Sequence, residues 1–178
     1  MDDLALAAAL AENDQAAARL LFNRYFDGLY RFLRQLTRHA EDAEDLAQQT
    51  LIRVIRHAGR FDGRVALRSW IYAIAVREFG RWQRRRLWLP LPINLRARGD
   101  VVESSTNAEL LLSALAQLSP AHRAAFLLHH VEGFSIEEIA SVQHAPVGTV
   151  KSRLHVARGH LKRLLEQEEF YVTEPSRV

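Results

Sequence analysis

Apolar residues recur along most of this chain at every third or fourth position, and the alternating pattern of a β-strand is nearly absent. In the first half this spacing predicts three long helices, over residues 16–37, 41–58 and 67–86. Their inward stripes are Leu21, Tyr25, Leu29, Phe32, Leu33 and Leu36; then Ala43, Leu46 or Ala47, Thr50 or Leu51, Val54, Ile55 and Ala58; then Trp70, Ile71, Ile74, Ala75, Phe79 and Trp82. The pattern therefore predicts an all-α protein.

The helical pattern stops at residues 89–92 (LPLP), because proline lacks the backbone N–H that continues a helix. Residues 93–106 show no clear periodicity, so we interpret residues 88–106 as a linker between two domains. The linker begins with the apolar stretch 87–92, which suits packing on a domain or on a partner. The predicted organisation is a domain over 1–87, the linker, a second domain over 107–172 and a frayed tail over 173–178.

The second half predicts two further helices and then a helix-turn-helix. The first begins at Thr106, and the next begins at Ser119-Pro120 and ends near Gly133. Two shorter helices follow, joined by a tight turn, and Ser135 with the acidic residue three positions later forms a capping-box pattern at the first of them. Pro146 suits the first turn of the second. In a helix-turn-helix, the second helix enters the major groove of DNA.

The second helix of this pair has one apolar side and one polar side. The residues predicted to face inward are Val147, Val150, Leu154, Ala157 and Leu161. The residues on the opposite side, which can reach base edges, are Lys151, Ser152, His155 and Val156.

Positive charge is concentrated at the end of the first domain. The chain has 178 residues and a formal net charge of +3, but the stretch from Arg77 to Arg98 contains seven arginines and a single acidic residue, Glu78. A local excess of this kind suits a polyanion such as DNA. The alternative is a solvated helix end with a basic tail. Arg77, Arg81 and Arg84 recur at helical spacing and could follow the phosphates of one strand.

Several other classes of protein find no support in the sequence. The chain has no cysteine, so no disulfide or thiolate metal site is available. His129 and His130 are adjacent and therefore diverge by about 100° on a helix, which argues against a shared metal ion. No phosphate-binding glycine loop or nucleophile motif is present, no cofactor is expected, and we expect no enzyme activity. Without a signal pattern or a long apolar stretch, the default expectation is a cytoplasmic protein with no small-molecule substrate and no membrane insertion.

Two separated motifs carry a family resemblance. Residues 132–140 (EGFSIEEIA) and 146–154 (PVGTVKSRL) resemble the C-terminal promoter-binding domain of extracytoplasmic-function (ECF) sigma factors of the sigma-70 family. Residues 42–51 (DAEDLAQQTL), 60–63 (RFDG) and 69–72 (SWIY) resemble the N-terminal domain of the same family. Together the motifs cover roughly residues 18–168, in the order of the family. The resemblance implies an alternative sigma factor that binds core RNA polymerase, through the β′ clamp helices and the β subunit, and directs it to promoter DNA.

The resemblance assigns core binding to the outer face of the second long helix. The residues on this face are Asp45, Gln48, Gln49 and Ile52. Asp45 and Gln48 match the family, whereas Gln49 stands where glutamate is usual and removes one charge from the contact. The alternative from the residues alone is an ordinary solvated face with one stray apolar side chain.

The resemblance assigns recognition and opening of the −10 element to residues 60–86. The candidate residues for −10 DNA are Phe61, Arg64, Tyr72, Arg77, Arg81 and Arg84. The loop from Phe61 to Leu67 corresponds to the family's loop for a flipped base. Tyr72 and Trp70 could both stack on unpaired bases, but the spacing of Trp70 favours the core, so Tyr72 is predicted to be the more open ring. Arg77 and Arg81 replace residues that are often Asn or Asp in relatives.

The resemblance assigns −35 recognition to the helix-turn-helix. The candidate residues are Lys151, Ser152, Arg153, His155, Val156 and Arg158, of which the two arginines serve either phosphates or contacts within the domain. Val156 stands where a base-binding arginine is frequent. His144 occupies the turn, where relatives often have glycine and where a left-handed backbone is tolerable for histidine.

Two other functions remain as alternatives. One is a stand-alone helix-turn-helix regulator that binds duplex DNA without polymerase, and the other is a helical interaction protein such as an inactive sigma-like decoy. The exposed face of the second helix and the arginine-rich third helix favour the sigma factor, because a simple regulator needs neither. Family members are commonly held by an anti-sigma factor, so the resemblance also makes such a protein a candidate partner.

Overall fold

The computed structural model describes residues 2–88 and 113–173, with side chains described over 2–86 and 113–164. In this part of the chain the regular structure is helical, as the apolar spacing predicts, and no strand is present. The helices are α1 (Asp3–Ala11), α2 (Gln15–Thr37), α3 (Ala40–His57), α4 (Leu67–Trp88), α5 (Pro120–His130), α6 (Ile136–Gln143) and α7 (Val147–Thr173), with a 3₁₀ turn at Ala58–Arg60 and a further helical stretch at 113–117. The all-α fold class is confirmed.

The first domain consists of α1–α4 around a core centred on α2. Leu21, Leu29 and Leu33 of α2 are fully buried, and α3 and α4 pack against this helix. Two polar contacts also join α3 to α4, because the Asp42 carboxylate accepts hydrogen bonds from Trp82 Nε1 at 3.1 Å and from an Arg86 guanidinium nitrogen at 2.9 Å. The three long helices predicted from apolar spacing are all present, with bounds that differ by at most two residues.

Helix α1 was not predicted from the sequence. Its residues are mostly alanine and leucine, so apolar side chains surround the helix and leave no amphipathic stripe to detect. Leu6 and Leu10 are nonetheless buried, and the helix packs against α2, α3 and the 3₁₀ turn. Asp2 caps its start by accepting the Ala5 N–H at 2.7 Å.

The second domain consists of α5, α6 and α7, with the turn between α6 and α7 forming a helix-turn-helix. Val150, Leu154 and Ala157 of α7 are buried, as predicted, against α5 and α6. His144 ends α6 in the left-handed region, at φ 47°. Helix α7 begins at Val147, directly after Pro146, and extends to Thr173.

Some sequence predictions on this half were wrong or cannot be placed. Val147 is 37% exposed and not inward, because it is the first helical residue after the turn and lies at the edge of the packed surface. The linker after Trp88, the helix start at Thr106 and the tail after Thr173 lie outside the described residues.

Helix α6 begins with a reciprocal capping box, as predicted. Ser135 Oγ accepts the Glu138 N–H at 3.1 Å, and the Glu138 carboxylate accepts the Ser135 N–H at 2.8 Å. Each bond satisfies a backbone donor that the helix itself leaves unpaired.

We expect Ser135→Ala to lower the free energy of unfolding by about 1 kcal/mol, because the first turn of α6 loses its acceptor. Ser141→Ala, an exposed change in the last turn of the same helix, is the matched control and should be close to neutral. Urea unfolding of the two variants checks the difference. Equal midpoints for both would mean that the capping box contributes nothing measurable.

Candidate nucleic-acid interface

The outer face of α3 is a compact exposed surface. Asp45, Gln48 and Gln49 are exposed, and Ile52 beside them is 47% exposed. The spacing places all four on one side of the helix, as predicted, with Leu46 and Thr50 turned into the core. An exposed isoleucine within a polar set suits contact with another protein more than with DNA.

A small cavity separates this face from the arginine-rich end of α4. It measures about 70 Å³, and its lining includes Asp45 and Gln49 from α3 with Arg81 and Arg85 from α4. The face predicted to bind polymerase and the face predicted to bind DNA therefore meet at one edge of the first domain.

Glu78 organises the basic side chains near this cavity. Its side chain is only 4% exposed, and the carboxylate binds the guanidinium groups of Arg53 at 2.8 Å and Arg81 at 2.6 Å. The sequence reveals Glu78 as the single acidic residue in a basic stretch, but it does not reveal this role. The signal that could have found it is its position on the buried side of α4, next to Phe79.

The three predicted phosphate-binding arginines of α4 do not form one uniform row. Arg77 is exposed, and its guanidinium nitrogen lies 2.8 Å from His144 Nε2 in the turn of the second domain. Arg81 is held by Glu78, whereas Arg84 is exposed on the following turn. All three remain close enough to the surface to reach a polyanion, but only Arg84 does so without an ionic or hydrogen-bonding partner among the described residues.

The loop before α4 borders an open cavity of about 350 Å³. Phe61 is half-buried with its ring 5.5 Å from that of Trp70, and Arg64 is exposed in an ion pair of 3.2 Å with Asp62. Gly63 adopts a positive φ of 74° at the bend. The opposite wall of the cavity consists of the N-terminal residues 2–4. Their position beside this loop was not predicted from the sequence.

Asp3 joins the N-terminus of the chain to this loop. Its Oδ2 accepts the Leu67 N–H at 2.9 Å, so a carboxylate 64 residues away satisfies the first turn of α4. The unpredicted helix α1 therefore positions the loop that was assigned to −10 DNA.

Tyr72 was predicted to be the more open aromatic ring of its segment, and this prediction was wrong. Tyr72 is 2% exposed, whereas Trp70 is half-buried. The reason is tertiary, because the turn before α6 covers Tyr72 with Phe134, whose ring centre lies 5.0 Å away. Burial, followed by the hydrogen bond to Glu132, raises the pKa of the Tyr72 hydroxyl far above its usual range.

The exposed face of α7 carries the residues predicted for base contact. Lys151, Ser152, His155 and Val156 are all exposed, with Val156 at 45%. Arg158 is exposed as well. They follow the turn at His144 in the positions that a recognition helix uses to reach base edges.

Arg153 differs from the other residues predicted on this helix. It is partly buried, and its guanidinium donates to Gln143 Oε1 at 2.6 Å. Gln143 in turn donates to the Ala121 carbonyl at 3.1 Å. The sequence left open whether Arg153 contacts a DNA phosphate or a residue of its own domain. In the structure it contacts its own domain.

His129, considered for metal binding, has a structural contact instead. Its Nδ1 donates to the Phe134 carbonyl at 2.9 Å, and burial together with the neighbouring His129 lowers the pKa of His130. Among the described residues, no group of three or more potential ligands comes together for a metal ion. Within the same residues, no helix has the length and apolarity needed to cross a bilayer.

The fold and these surfaces define a helical protein of two units, of which the second is a helix-turn-helix domain. Family models agree with that division. A model described as Sigma-70 region 2 matches residues 21–89, and one described as Sigma-70, region 4 matches residues 108–161.

Relatives resemble the chain over most of its length. It is 33% identical over 165 residues to the ECF RNA polymerase sigma factor SigM of Mycobacterium tuberculosis (strain ATCC 25618 / H37Rv), covering 92% of this chain and 84% of that protein. It is 32% identical over 164 residues to the RNA polymerase sigma factor CarQ of Myxococcus xanthus, covering 89% and 94%. The solved structure of CnrH in complex with the cytosolic domain of CnrY has a TM-score of 0.71 and 27% identity, covering 93% and 97%. That of the sigma factor RpoE with the anti-sigma factor NepR from Bartonella quintana has a TM-score of 0.69 and 27% identity, covering 83% and 96%.

The chain belongs to the ECF family of RNA polymerase sigma factors. It is a transcription initiation factor with a region 2 and a region 4, as the paired motifs implied.

Proposed function

We propose that this sigma factor docks on core RNA polymerase through the α3 face, contacts −10 promoter DNA with α4 and the preceding loop, and recognises the −35 element with α7. The chemistry of RNA synthesis belongs to the polymerase, and the sigma factor supplies binding and positioning. The single observation that carries the proposal is the exposed set Asp45, Gln48, Gln49 and Ile52, because a DNA-binding regulator acting alone has no use for it.

The α3 face suits a helical protein partner. Ile52 supplies an apolar centre, and the flanking carboxylate and two amides supply a polar rim. The β′ clamp helices are the proposed partner, with the β subunit contributing elsewhere. Gln48 is held by a hydrogen bond from its amide to Glu44 at 3.2 Å, so part of this rim is already ordered in the free chain.

The arginine-rich part of α4 and the loop that precedes this helix suit promoter DNA whose strands are separating. Arg77, Arg81 and Arg84 provide positive charge for phosphates, and the cavity beside Phe61 has space for an unstacked base. Arg64 lies at the exposed rim of that cavity. These residues are the proposed −10 contacts.

The exposed face of α7 suits duplex DNA. Lys151 and Ser152 offer hydrogen-bond donors to base edges, and His155 and Arg158 lie next to them for base or phosphate contact. Val156 adds an apolar surface that can touch a thymine methyl group. Arg153 supports the helix through Gln143 and is the least suited to a base contact.

Transcription with purified components tests the proposal. Core polymerase lacking any sigma factor is mixed with the full chain and a library of promoter sequences, and transcript start sites are sequenced. The proposal expects transcripts that begin at defined promoters only when the chain is present. If the chain binds duplex DNA tightly but gives no such transcripts and does not associate with core enzyme, it is a stand-alone regulator. An anti-sigma partner is a further proposal, which the same assay can address when a candidate is added.

Replacing an α4 arginine should change the salt dependence of promoter binding by the holoenzyme. We expect Arg84→Gln to reduce the slope of log affinity against log salt by about one, because one phosphate contact is lost. Arg77→Gln should act in the same direction, because Arg77 is exposed on the same helix. The reduction should be similar for different promoter sequences, because phosphates carry no base identity.

Arg19→Gln is the matched control, since Arg19 is exposed on α2 and the substitution removes the same charge. Its slope should equal that of the wild type. An unchanged slope for both α4 variants would show that this face does not follow the DNA backbone.

A further inference from the structure

The start of helix α1 forms one wall of the cavity beside the loop that precedes α4. Residues 2–4 line this wall, and Phe61 with residues 63–66 lines the rest of the cavity. Leu4 is 56% exposed, whereas Leu6 on the next positions of the same helix is fully buried in the core. Leu4 therefore offers an apolar surface to the open cavity and contributes little to the core of the domain.

Leu4 also packs against the bend of the loop. Gly63 lies at this bend with a positive φ of 74°, and a Cβ atom added to it would lie 2.9 Å from Leu4 Cδ2. The glycine thus allows the loop backbone to approach the leucine closely. Phe61, which also lines the cavity, is half-buried and has its ring 5.5 Å from that of Trp70. Two walls of the cavity therefore carry a large apolar side chain each.

Asp3 fixes this arrangement to the start of α4. Its Oδ2 accepts the Leu67 N–H at 2.9 Å, and its Oδ1 lies 3.8 Å from Arg24 Nη1 of α2. The Leu67 N–H is one of the donors that a helix leaves without a partner in its own first turn. One carboxylate therefore joins α1 and α2 to the residue at which the loop ends.

We propose that Leu4 contacts the unpaired −10 base that enters this cavity, and that Asp3 is a positioning residue that holds the loop in place against it. A base that leaves the stack loses the contact of its neighbours, so its site must supply apolar surface in return. Leu4 and Phe61 supply that surface from two walls. The inference rests on the proposed function, and it adds helix α1 to the parts of the chain that determine −10 preference.

The charges around the cavity favour a base that is attached to a phosphate backbone. The Arg64 side chain is 87% exposed at the rim, where it can attract a phosphate. Asp2 and Asp3 lie in the wall itself, and their negative charge opposes entry of a phosphate into the cavity. The phosphate is therefore expected to stay at the rim, while the uncharged base enters between the apolar walls.

Binding of the holoenzyme to single-stranded −10 DNA tests the role of Leu4. The oligonucleotides carry the non-template sequence of promoters found by transcript sequencing, with each base replaced in turn by an abasic site. We expect Leu4→Ala to weaken binding of the intact strand by about five- to tenfold, because apolar contact with the base is lost. The same substitution should have no effect when the abasic site lies at the position of the entering base, and its full effect at every other position.

Leu20→Ala is the matched control for this variant. Leu20 is 40% exposed on α2 and does not line the cavity, so the substitution removes the same group from another exposed position. This variant should bind all the oligonucleotides as the wild type does. Circular dichroism checks that both variants keep their helices.

Two substitutions of Asp3 test its positioning role. Asp3→Ala removes the acceptor of the Leu67 N–H and should weaken binding of the intact strand by about fivefold, because the loop is no longer held. Asp3→Asn removes the charge but keeps an oxygen that can accept this hydrogen bond, so it should bind as the wild type does. Equal losses in both variants would show that the charge, and not the position of the loop, is what matters.

The outcome for Leu4 separates this inference from the proposed function. If Leu4→Ala weakens every oligonucleotide equally, or binds all of them as Leu20→Ala does, the leucine contacts no base and the inference is wrong. Either result leaves promoter-dependent transcription by the wild type unaffected. Absence of such transcription, together with no association with core enzyme, would instead defeat the proposed function on which the inference rests.

Discussion

A variant that combines Asp45→Arg with Gln48→Ala is expected to bind core polymerase about 30- to 100-fold more weakly than the wild type, a loss of roughly 2–3 kcal/mol. Among the four residues of the α3 face, Asp45 is the one carboxylate, so reversing its charge both removes an attraction and adds a repulsion. Neither side chain contributes to the core, and the helix content should stay the same. Titration of labelled variant with core enzyme measures the loss.

The matched control for this variant combines Asp27→Arg with Asn23→Ala on the exposed side of α2. It makes the same change in charge and removes an amide of similar size, so it should bind core enzyme normally. If the α3 variant also bound with wild-type affinity, the docking surface would have to lie elsewhere on the chain.

The second large effect concerns −35 recognition, for which we expect Val156→Arg to shift the preferred base toward guanine at one position by about 1–3 kcal/mol. Val156 is 45% exposed on the same face as Lys151 and Ser152. Valine can make only an apolar contact there, whereas arginine can donate two hydrogen bonds to the edge of guanine. Selection from a randomised −35 library, with wild type and variant side by side, measures the shift.

Lys151→Ala completes that experiment. It should weaken −35 binding in either case, but it should relax the preference at one position only if Lys151 contacts a base. Arg153→Gln is the comparison variant, because Arg153 bonds to Gln143 within the domain and should alter stability more than base preference. Identical selected sequences for the wild type and for the variants at 151 and 156, with activity retained, would mean that another face contacts the bases.

Most helices of this chain could be predicted from the sequence because each carries its own apolar stripe. The stripe of α2, including Leu21, Leu29 and Leu33, is buried as expected. The capping residues Ser135 and Glu138 are local in sequence and were likewise predictable. Helix α1 was not predicted, because this alanine-rich segment has apolar residues on all sides and therefore no apolar stripe to detect.

Some candidate site residues could be placed from helical spacing alone, whereas others depend on contacts with distant parts of the chain. Exposed residues on a regular helix, such as Ile52 and Val156, follow from periodicity once the buried side is known. Tyr72 and Arg77 could not be placed correctly in advance, because their partners Glu132 and His144 lie 60 and 67 residues away. Periodicity indicates which side of a helix avoids water, but it does not indicate which other element covers that side.

The sequence by itself determined the helical class, the helix-turn-helix, the paired motifs of an ECF sigma factor and the outward face of α3. These features depend on contacts within one helix or one turn, where spacing along the chain corresponds directly to spacing in three dimensions. The tertiary structure alone decided that Asp3 caps α4, that buried Glu78 holds Arg53 of α3, and that the turn at Glu132 covers Tyr72. Those contacts join residues far apart in the chain, and they form only because packing of the apolar stripes brings the helices together.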